Sequence, residues 1–290
     1  MNKIFPLCLV KNKTEFDIAL LNTKLTVASA VEEQVSFPLS ERNDTIFYNG
    51  FCIPCNKNVA FLVDMMWGGV KGGGKWVPNW RERLVCPSCQ MNNRQRLICA
   101  LIEDEISNEE SKSVYFMEQV TPIYNWAKHR FNKNLIIGSE YLGPQFLGAE
   151  ELNGIRHEDI ESLSFPDESL DVIISNDVFE HVPNPMVAFS ECARVLKNGG
   201  VMIATIPFYS TFEKSRERAI LEKGEIKLSM PAEYHGNPIL AEGSLVFTDF
   251  GWDLLAKVKK CGFLEAVVEI YNSIDYAHLG GAQLVFRFSK

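Results

Sequence analysis

Two matched pairs of cysteines carry the most definite chemistry in this sequence. Cys52-Ile53-Pro54-Cys55 and Cys86-Pro87-Ser88-Cys89 each hold two thiols at C-x-x-C spacing. That spacing turns both sulfurs toward one point, and two such pairs complete a tetrahedral zinc site. Four thiolates leave no open coordination position, so the Zn2+ expected here is structural. Four unrelated thiols, or a redox pair, are the alternatives. A second group of chemically apt residues lies further on. Asp177 and His181 follow an apolar run at 171–175, and His235 sits in the string Glu233-Tyr234-His235-Gly236-Asn237. A histidine, with a free pKa of about 6.5, can take a proton from a hydroxyl. His181 and His235 are therefore candidate bases. The competing roles are a loop scaffold for His181 and a hydrogen-bonding part in a rigid Pro/Gly loop for His235. Glu233, Tyr234 and Asn237 combine polar groups with an aromatic platform, which suits a sugar or another polyol.

The elements that must position these groups can be read from periodicity. The run at 171–175 (DVIIS) has the apolar continuity of a strand buried on both faces of a parallel sheet. Asn184 can cap the helix that follows, with Pro185 in its first turn. Ala188, Phe189, Cys192, Val195 and Leu196 form one apolar stripe. Lys197 suits the last turn, Asn198-Gly199-Gly200 predicts the stop, and 201–206 reads as a second buried strand. In such a sheet ligands bind beyond the carboxyl ends of the strands. The loop from Asn176 to His181 lies at such an end.

From 114 to 207 the order is strand, helix, strand, then the strand–helix–strand just described. FPDESLDVIISNDVFEHVPNP and RVLKNGGVMIATIPF resemble the fourth and fifth strands of class I S-adenosylmethionine (SAM) dependent methyltransferases. The resemblance covers 113–290. It implies an α/β fold with a Rossmann-like, seven-stranded class I methyltransferase sheet, and SAM as cofactor. Any other doubly wound α/β domain is the plainer reading.

The cofactor site follows by counting. Gly138-Ser-Glu-Tyr-Leu-Gly143 looks like a glycine-rich loop, but no helix and second strand fit after it before Asp159. A better register starts at 114–118, a strand ending in Glu118. Thr121 caps a helix opened by Pro122, and 135–140 is a second strand ending in Glu140. The acids are 22 residues apart, near the interval of about 20 that a nucleotide-binding unit of this kind needs. Glu140 would accept the ribose hydroxyls. Arg156-His157-Glu158-Asp159 would end the third strand, and in HEDIESLSF the resemblance gives Asp159 to the adenine amino group, with Ile160 beside the ring. Asn176 and Asp177 fall where the fourth strand delivers residues to the transferable methyl group. Glu118 and Thr121 border the methionine part of SAM. One departure stands out: Gln119-Val120-Thr121-Pro122 replaces the glycines that usually follow the first acid.

The remaining chain gives less. Residues 1–49 suggest a strand at 24–30 and a turn at Asn43-Asp44, and no chemistry. Within 50–99, the zinc-binding module, Gly68-Gly69 and Gly72-Gly73-Gly74 with Trp67, Trp76 and Trp80 predict a glycine-rich hairpin pinned by aromatics. The module's seven basic residues stand against Asp64 and Glu82, on a chain whose net charge is −8. Such a module could grip phosphate, or dock on the acidic domain beside it. A connecting helix is expected at 97–105 and a boundary loop at 107–113. Residues 208–247 read as an insertion on the acceptor side. The helix at 254–260 and strands at 264–271 and 282–288 complete the sheet.

The chain is 46% hydrophobic and 23% charged, ordinary for a globular protein. It holds no run of about 18 apolar residues that could span a bilayer. Eight cysteines then suit metal binding and buried thiols in a cytoplasmic protein. The cysteine module followed by MEQVTP, GSEYLG, HED, DVFEHVP and EYHGNP is similar to bacterial zinc-ribbon methyltransferases of glycan or natural-product biosynthesis. That implies O-methylation of a small-molecule or glycan acceptor. An RNA or peptide methyltransferase, with the basic module as substrate grip, is the second reading. A degenerate methyltransferase fold serving as a binding or partner subunit is the third.

Overall fold

The computed structural model describes residues 3–106, 111–132 and 135–290. The expected boundary loop at 107–113 therefore lies partly outside the described residues. Strands β1 (Cys8–Val10), β2 (Ile46–Cys52), β3 (Lys57–Val63), β4 (Val70–Gly72) and β5 (Lys75–Val77) precede the central unit. Helices α1 (Lys13–Ala19) and α2 (Thr23–Ser36) lie between the first two, and α3 (Asn93–Ile106) follows the last. Then come β6 (Ser113–Phe116), α4 (Pro122–Arg130), β7 (Leu135–Gly138), β8 (Leu170–Asn176), α5 (Pro185–Val195) and β9 (Leu196–Thr205). Helix α6 (Asp253–Lys260) and strands β10 (Glu265–Ser273) and β11 (His278–Ser289) close the chain.

Seven strands form one sheet in the order β1-β10-β11-β9-β8-β6-β7. β7, β6, β8 and β9 are mutually parallel, and β11, β10 and β1 continue antiparallel. Alternation along β6 shows how the sheet is buried. Val114 and Phe116 pack with α3 and α4, while Tyr115 faces the other layer with α1, α5 and α6. Helix α4 is set by its ends: Thr121 Oγ1 accepts from the Tyr124 amide at 3.3 Å, and Pro122 sits in the first turn.

The count of seven is reached by a different route from the one expected. The third strand of the parallel half, expected to end at 156–159, is reduced to a single bridge between Glu140 and His157. Its approach is spent on a two-residue hairpin, Glu151–Leu152 against Ile155–Arg156. The turn is Asn153-Gly154, both at positive φ, the pairing that favours a tight hairpin over a long extended run. At the far edge β1, from the uninformative N-terminal region, supplies the seventh strand.

Two other expectations are corrected. Residues 24–30 are helical within α2. Their alternating apolar residues read as a strand, but the buried positions are Leu25 and Ala28, three apart, and Asn22 caps the helix at the Lys24 amide. Helix α5 ends at Val195, before the Asn-Gly-Gly stop. Leu196 is already extended and pairs with Leu170. The glycines instead shape a bulge where the register slips between Leu170 and Val172. Gly199 has φ 81°, and a Cβ on Gly200 would meet the Lys197 carbonyl at 2.9 Å. Lys197 pairs with Asp171 at 2.7 Å rather than capping a helix. The glycine hairpin appears as expected: Gly72 pairs with Lys75 around Gly73-Gly74, with φ of 58° and 81°.

Candidate active site and metal centre

The carboxyl ends of the parallel strands carry a polar cluster. Glu118, just beyond β6, is 7% exposed and receives the Asn176 amide nitrogen at 3.3 Å and the Asn176 side-chain amide. Burial pushes its carboxyl up to about 8, against those two hydrogen bonds. Glu140, beyond β7, accepts from the amides of Gln119 and Val120 at 2.8 and 2.9 Å. Burial raises its pKa while these amide bonds lower it, and burial wins. The amides that follow Glu118 are thus taken up by Glu140. Gln119 is tied further, accepting from the Arg156 amide at 3.0 Å and donating to the Gly154 carbonyl at 2.8 Å. This bracing holds a loop that lacks glycine.

Asp159 is partly exposed and accepts from the Glu161 amide at 2.9 Å, and Ile160 beside it is buried. The neighbouring Glu158 is the buried acid of that segment, enclosed by Arg156 and Ser164. Thr121 is engaged as the α4 cap.

Asp177 stands at φ 54° at the end of β8. Its carboxylate meets Arg81 at 2.5 Å and Arg94 at 3.5 Å. Burial would raise its pKa, but the two guanidinium groups hold it well below the usual carboxylate range. Arg94 also binds Glu82 at 3.0 Å and reaches Thr205 at 3.5 Å. Arg81, Glu82 and Arg94, which sequence reading counted in the module's charge without a place in the site, reach the sheet edge from the cysteine module.

His181 and His235 are brought together. Their rings meet edge to face with centroids 5.1 Å apart. Between them lies Glu180, whose side chain is fully buried and which sequence reading left without a role. His181 Nε2 is 3.4 Å, and His235 Nδ1 3.5 Å, from Glu180 Oε1. Glu180 raises the pKa of His235, with Glu233 helping. Glu233 lies 3.5 Å from His235 Nε2 and is itself held by Arg218 at 3.0 Å. Tyr234 is exposed. Asn237 is engaged inside the loop, donating to Ser244 and accepting from the amides of Ile239 and Leu240.

The four cysteines converge, with Cys52 and Cys89 sulfurs 3.8 Å apart and Cys55 and Cys86 sulfurs 3.7 Å apart. All four sulfurs lie within 4.8 Å of one another. Asn56 and Gln90, the residue after each pair, both adopt positive φ, so the two turns close alike around one centre. The thiols are mismatched without a cation. Cys52, donating to Cys89, is pushed up, and burial drives Cys55 up to about 12. Cys89, accepting from Cys52, is lowered to about 5. A divalent ion stabilises all four thiolates at once, so the donor set fits structural zinc.

Four parallel strands and an antiparallel return around one carboxyl edge make a mixed α/β, seven-stranded sheet like that of class I methyltransferases. Residues 110–204 match the Methyltransferase domain family. A "Probable S-adenosylmethionine-dependent methyltransferase" of Mycolicibacterium smegmatis is 40% identical over 63 residues, covering 22% of this chain and 24% of that one. A ubiquinone biosynthesis O-methyltransferase of Maricaulis maris is 30% identical over 139 residues, 39% of this chain and 54% of its own. This chain thus spans between about a quarter and about half of those relatives. Among solved structures, a SAM-dependent methyltransferase from Mesorhizobium loti aligns over 68% of this chain and 97% of its own, at 13% identity and TM-score 0.42.

Proposed function

We propose that this protein is a SAM-dependent methyltransferase that methylates a hydroxyl of a sugar or natural-product acceptor. The observation that carries the reading is Glu118, a buried carboxyl at the end of β6 that lacks a cationic partner strong enough to ionise it at neutral pH. Bound beside it, SAM supplies an electrophilic methyl on a sulfonium, together with a cationic amino group. Glu118 then serves as its counter-charge. Glu140 retains one carboxylate oxygen for the ribose hydroxyls after the two loop amides have claimed the other. Asp159 and Ile160 border the adenine. Asn176, fixed by Glu118, and Asp177, fixed by Arg81 and Arg94, form the floor beneath the reacting centre. Alignment of acceptor oxygen and methyl does most of the work in such a transfer, and His181 or His235 receives the acceptor proton.

Docking is the better supported role for the module's arginines, because Arg81, Arg83 and Arg94 face Asp177, Asp64 and Glu82, and Arg96 binds two backbone carbonyls. We place 50–99 as a zinc-binding module and 113–290 as the methyltransferase domain, with 208–247 on the acceptor side. The test is calorimetric titration of SAM and S-adenosylhomocysteine. Micromolar binding, weakened roughly 10-fold or more by Glu140→Ala and by Asp159→Ala in folded protein, is expected for lost charge-assisted bonds. No binding of either molecule would leave the fold as a binding or partner subunit.

A further inference from the structure

We propose that Glu180, His181 and His235 form a second metal site, for a divalent first-row transition ion, at the acceptor side of the sheet edge. The three ligand atoms lie within 4.8 Å of one another. Both Glu180 oxygens are buried and make no hydrogen bond among the described residues. A buried carboxylate whose nearest polar neighbours are two imidazoles at 3.4 and 3.5 Å is costly and calls for a cation.

Each imidazole turns one ring nitrogen toward Glu180 and the other toward a further acceptor. His181 Nδ1 lies 2.9 Å from the Leu245 carbonyl. A carbonyl can only accept, so Nδ1 carries the hydrogen, and Nε2 is the nitrogen that a metal beside Glu180 would take as ligand. His235 Nε2 faces the Glu233 carboxylate, which leaves Nδ1 toward Glu180. A carbonyl and a carboxylate behind the two rings are the outer partners that metal-bound histidines usually have. Arg218 holds Glu233 in that place.

The spacing agrees. Ligand atoms about 2.1 Å from a shared ion stand about 3.0–3.4 Å apart, close to the observed 3.4 and 3.5 Å. Charge-assisted hydrogen bonds would draw the same atoms to about 2.7–2.9 Å. Two imidazoles and one carboxylate with open positions select zinc, iron(II), cobalt(II), nickel(II) or manganese(II) over magnesium or calcium. His181 and His235 side chains are 17% and 34% exposed, so the open positions face outward. There a metal would take an acceptor hydroxyl and make it easier to deprotonate, and with both imidazole lone pairs on the ion the proton would leave to water rather than to His181 or His235. That role rests on the methyltransferase reading, whereas the metal site does not.

The test is metal stoichiometry of the full chain loaded with cobalt(II), and separately with zinc. Two equivalents per chain are expected. One gives the intense thiolate-to-cobalt absorption of the cysteine site and the other weak visible bands of a nitrogen–oxygen site. His235→Ala and Glu180→Gln should each drop to one equivalent while keeping the thiolate absorption, which also reports that the module is folded. One equivalent in the unaltered protein with cobalt, zinc and manganese would overturn the proposal. So would two equivalents retained in His235→Ala. SAM calorimetry on the same samples separates a failed metal site from a failed methyltransferase reading, since neither measurement depends on the other.

Discussion

Glu118 should make both stability and cofactor binding depend on pH. Its pKa is raised from 4.5 to about 8 in the folded chain, so the folded state holds a proton that the unfolded state has lost. Stability then falls as pH rises between those values, by about 1.4 kcal/mol for each unit of real shift. Glu118→Gln should remove that slope in urea titrations run from pH 5 to 8. A cationic cofactor beside Glu118 favours its ionised form, so SAM affinity should rise with pH up to about 8 and become flat in Glu118→Gln. A flat profile in the unaltered protein would mean that no cation binds there. Arg94 gives a second contrast. Its side chain is 14% exposed, against 33% for Arg81. Arg94→Ala leaves Glu82 and Asp177 with the more exposed Arg81 in place of two guanidinium groups and should cost about 1.5–3 kcal/mol, little changed by salt. Arg81→Ala should cost about 1 kcal/mol or less. Equal losses would show that the two guanidinium groups share the load. The acids at the strand ends were legible in the sequence because each ends an apolar run. The arginine partners were not, since Arg81 and Asp177 are 96 residues apart and no local period links them. Glu180 was hidden for a related reason: its partner His235 comes from an insertion whose path only the folded chain defines.

At the scale of elements, the packing of α4 on β7 rests on Gly138. A Cβ there would lie 2.5 Å from the Tyr124 ring, against several of its atoms. The glycine missing from the loop after Glu118 is thus found where helix meets strand. Gly138→Ala should destabilise by about 1–3 kcal/mol through overpacking. Adding Tyr124→Leu should recover part of the loss, as read by urea denaturation. No recovery would place the strain in the backbone instead. Strands β6, β7 and β8 and helices α4 and α6 could be read because caps and apolar runs agree in each. The end of α5 could not, since Asn198-Gly199-Gly200 is both a helix stop and a bulge, and only pairing with β8 decides between them. The reduced third strand was equally hidden. Its Asn-Gly turn was present in the sequence, but nothing local shows that it competes with pairing to β7.

At the scale of the whole molecule, the cysteine module shares a core with the tip of the β10–β11 hairpin. Cys52 and Cys86 pack with Phe61, Trp80, Ala277 and Leu279. Asn93 donates to the Leu279 carbonyl at 2.7 Å and meets His278 at 2.8 Å, while Arg96 binds the carbonyls of Tyr276 and Ala277. Removing a metal bound at the four cysteines should therefore act beyond the module. Without a cation the four thiols, Cys52 and Cys86 buried and Cys55 and Cys89 partly so, must reprotonate, and their turns lose the centre that closes them. Hydrogen exchange after chelation should accelerate first across β2, β3 and 276–281. The amides of β6 and β8, buried between the two helical layers, should stay protected longer. Arg94 begins α3 from the same junction, so Asp177 should lose its partner in that step and SAM turnover should fall before the central sheet opens. Protection at 276–281 unchanged by chelation would refute the shared core. Simultaneous loss everywhere would mean that the zinc holds the entire sheet, not one end of it.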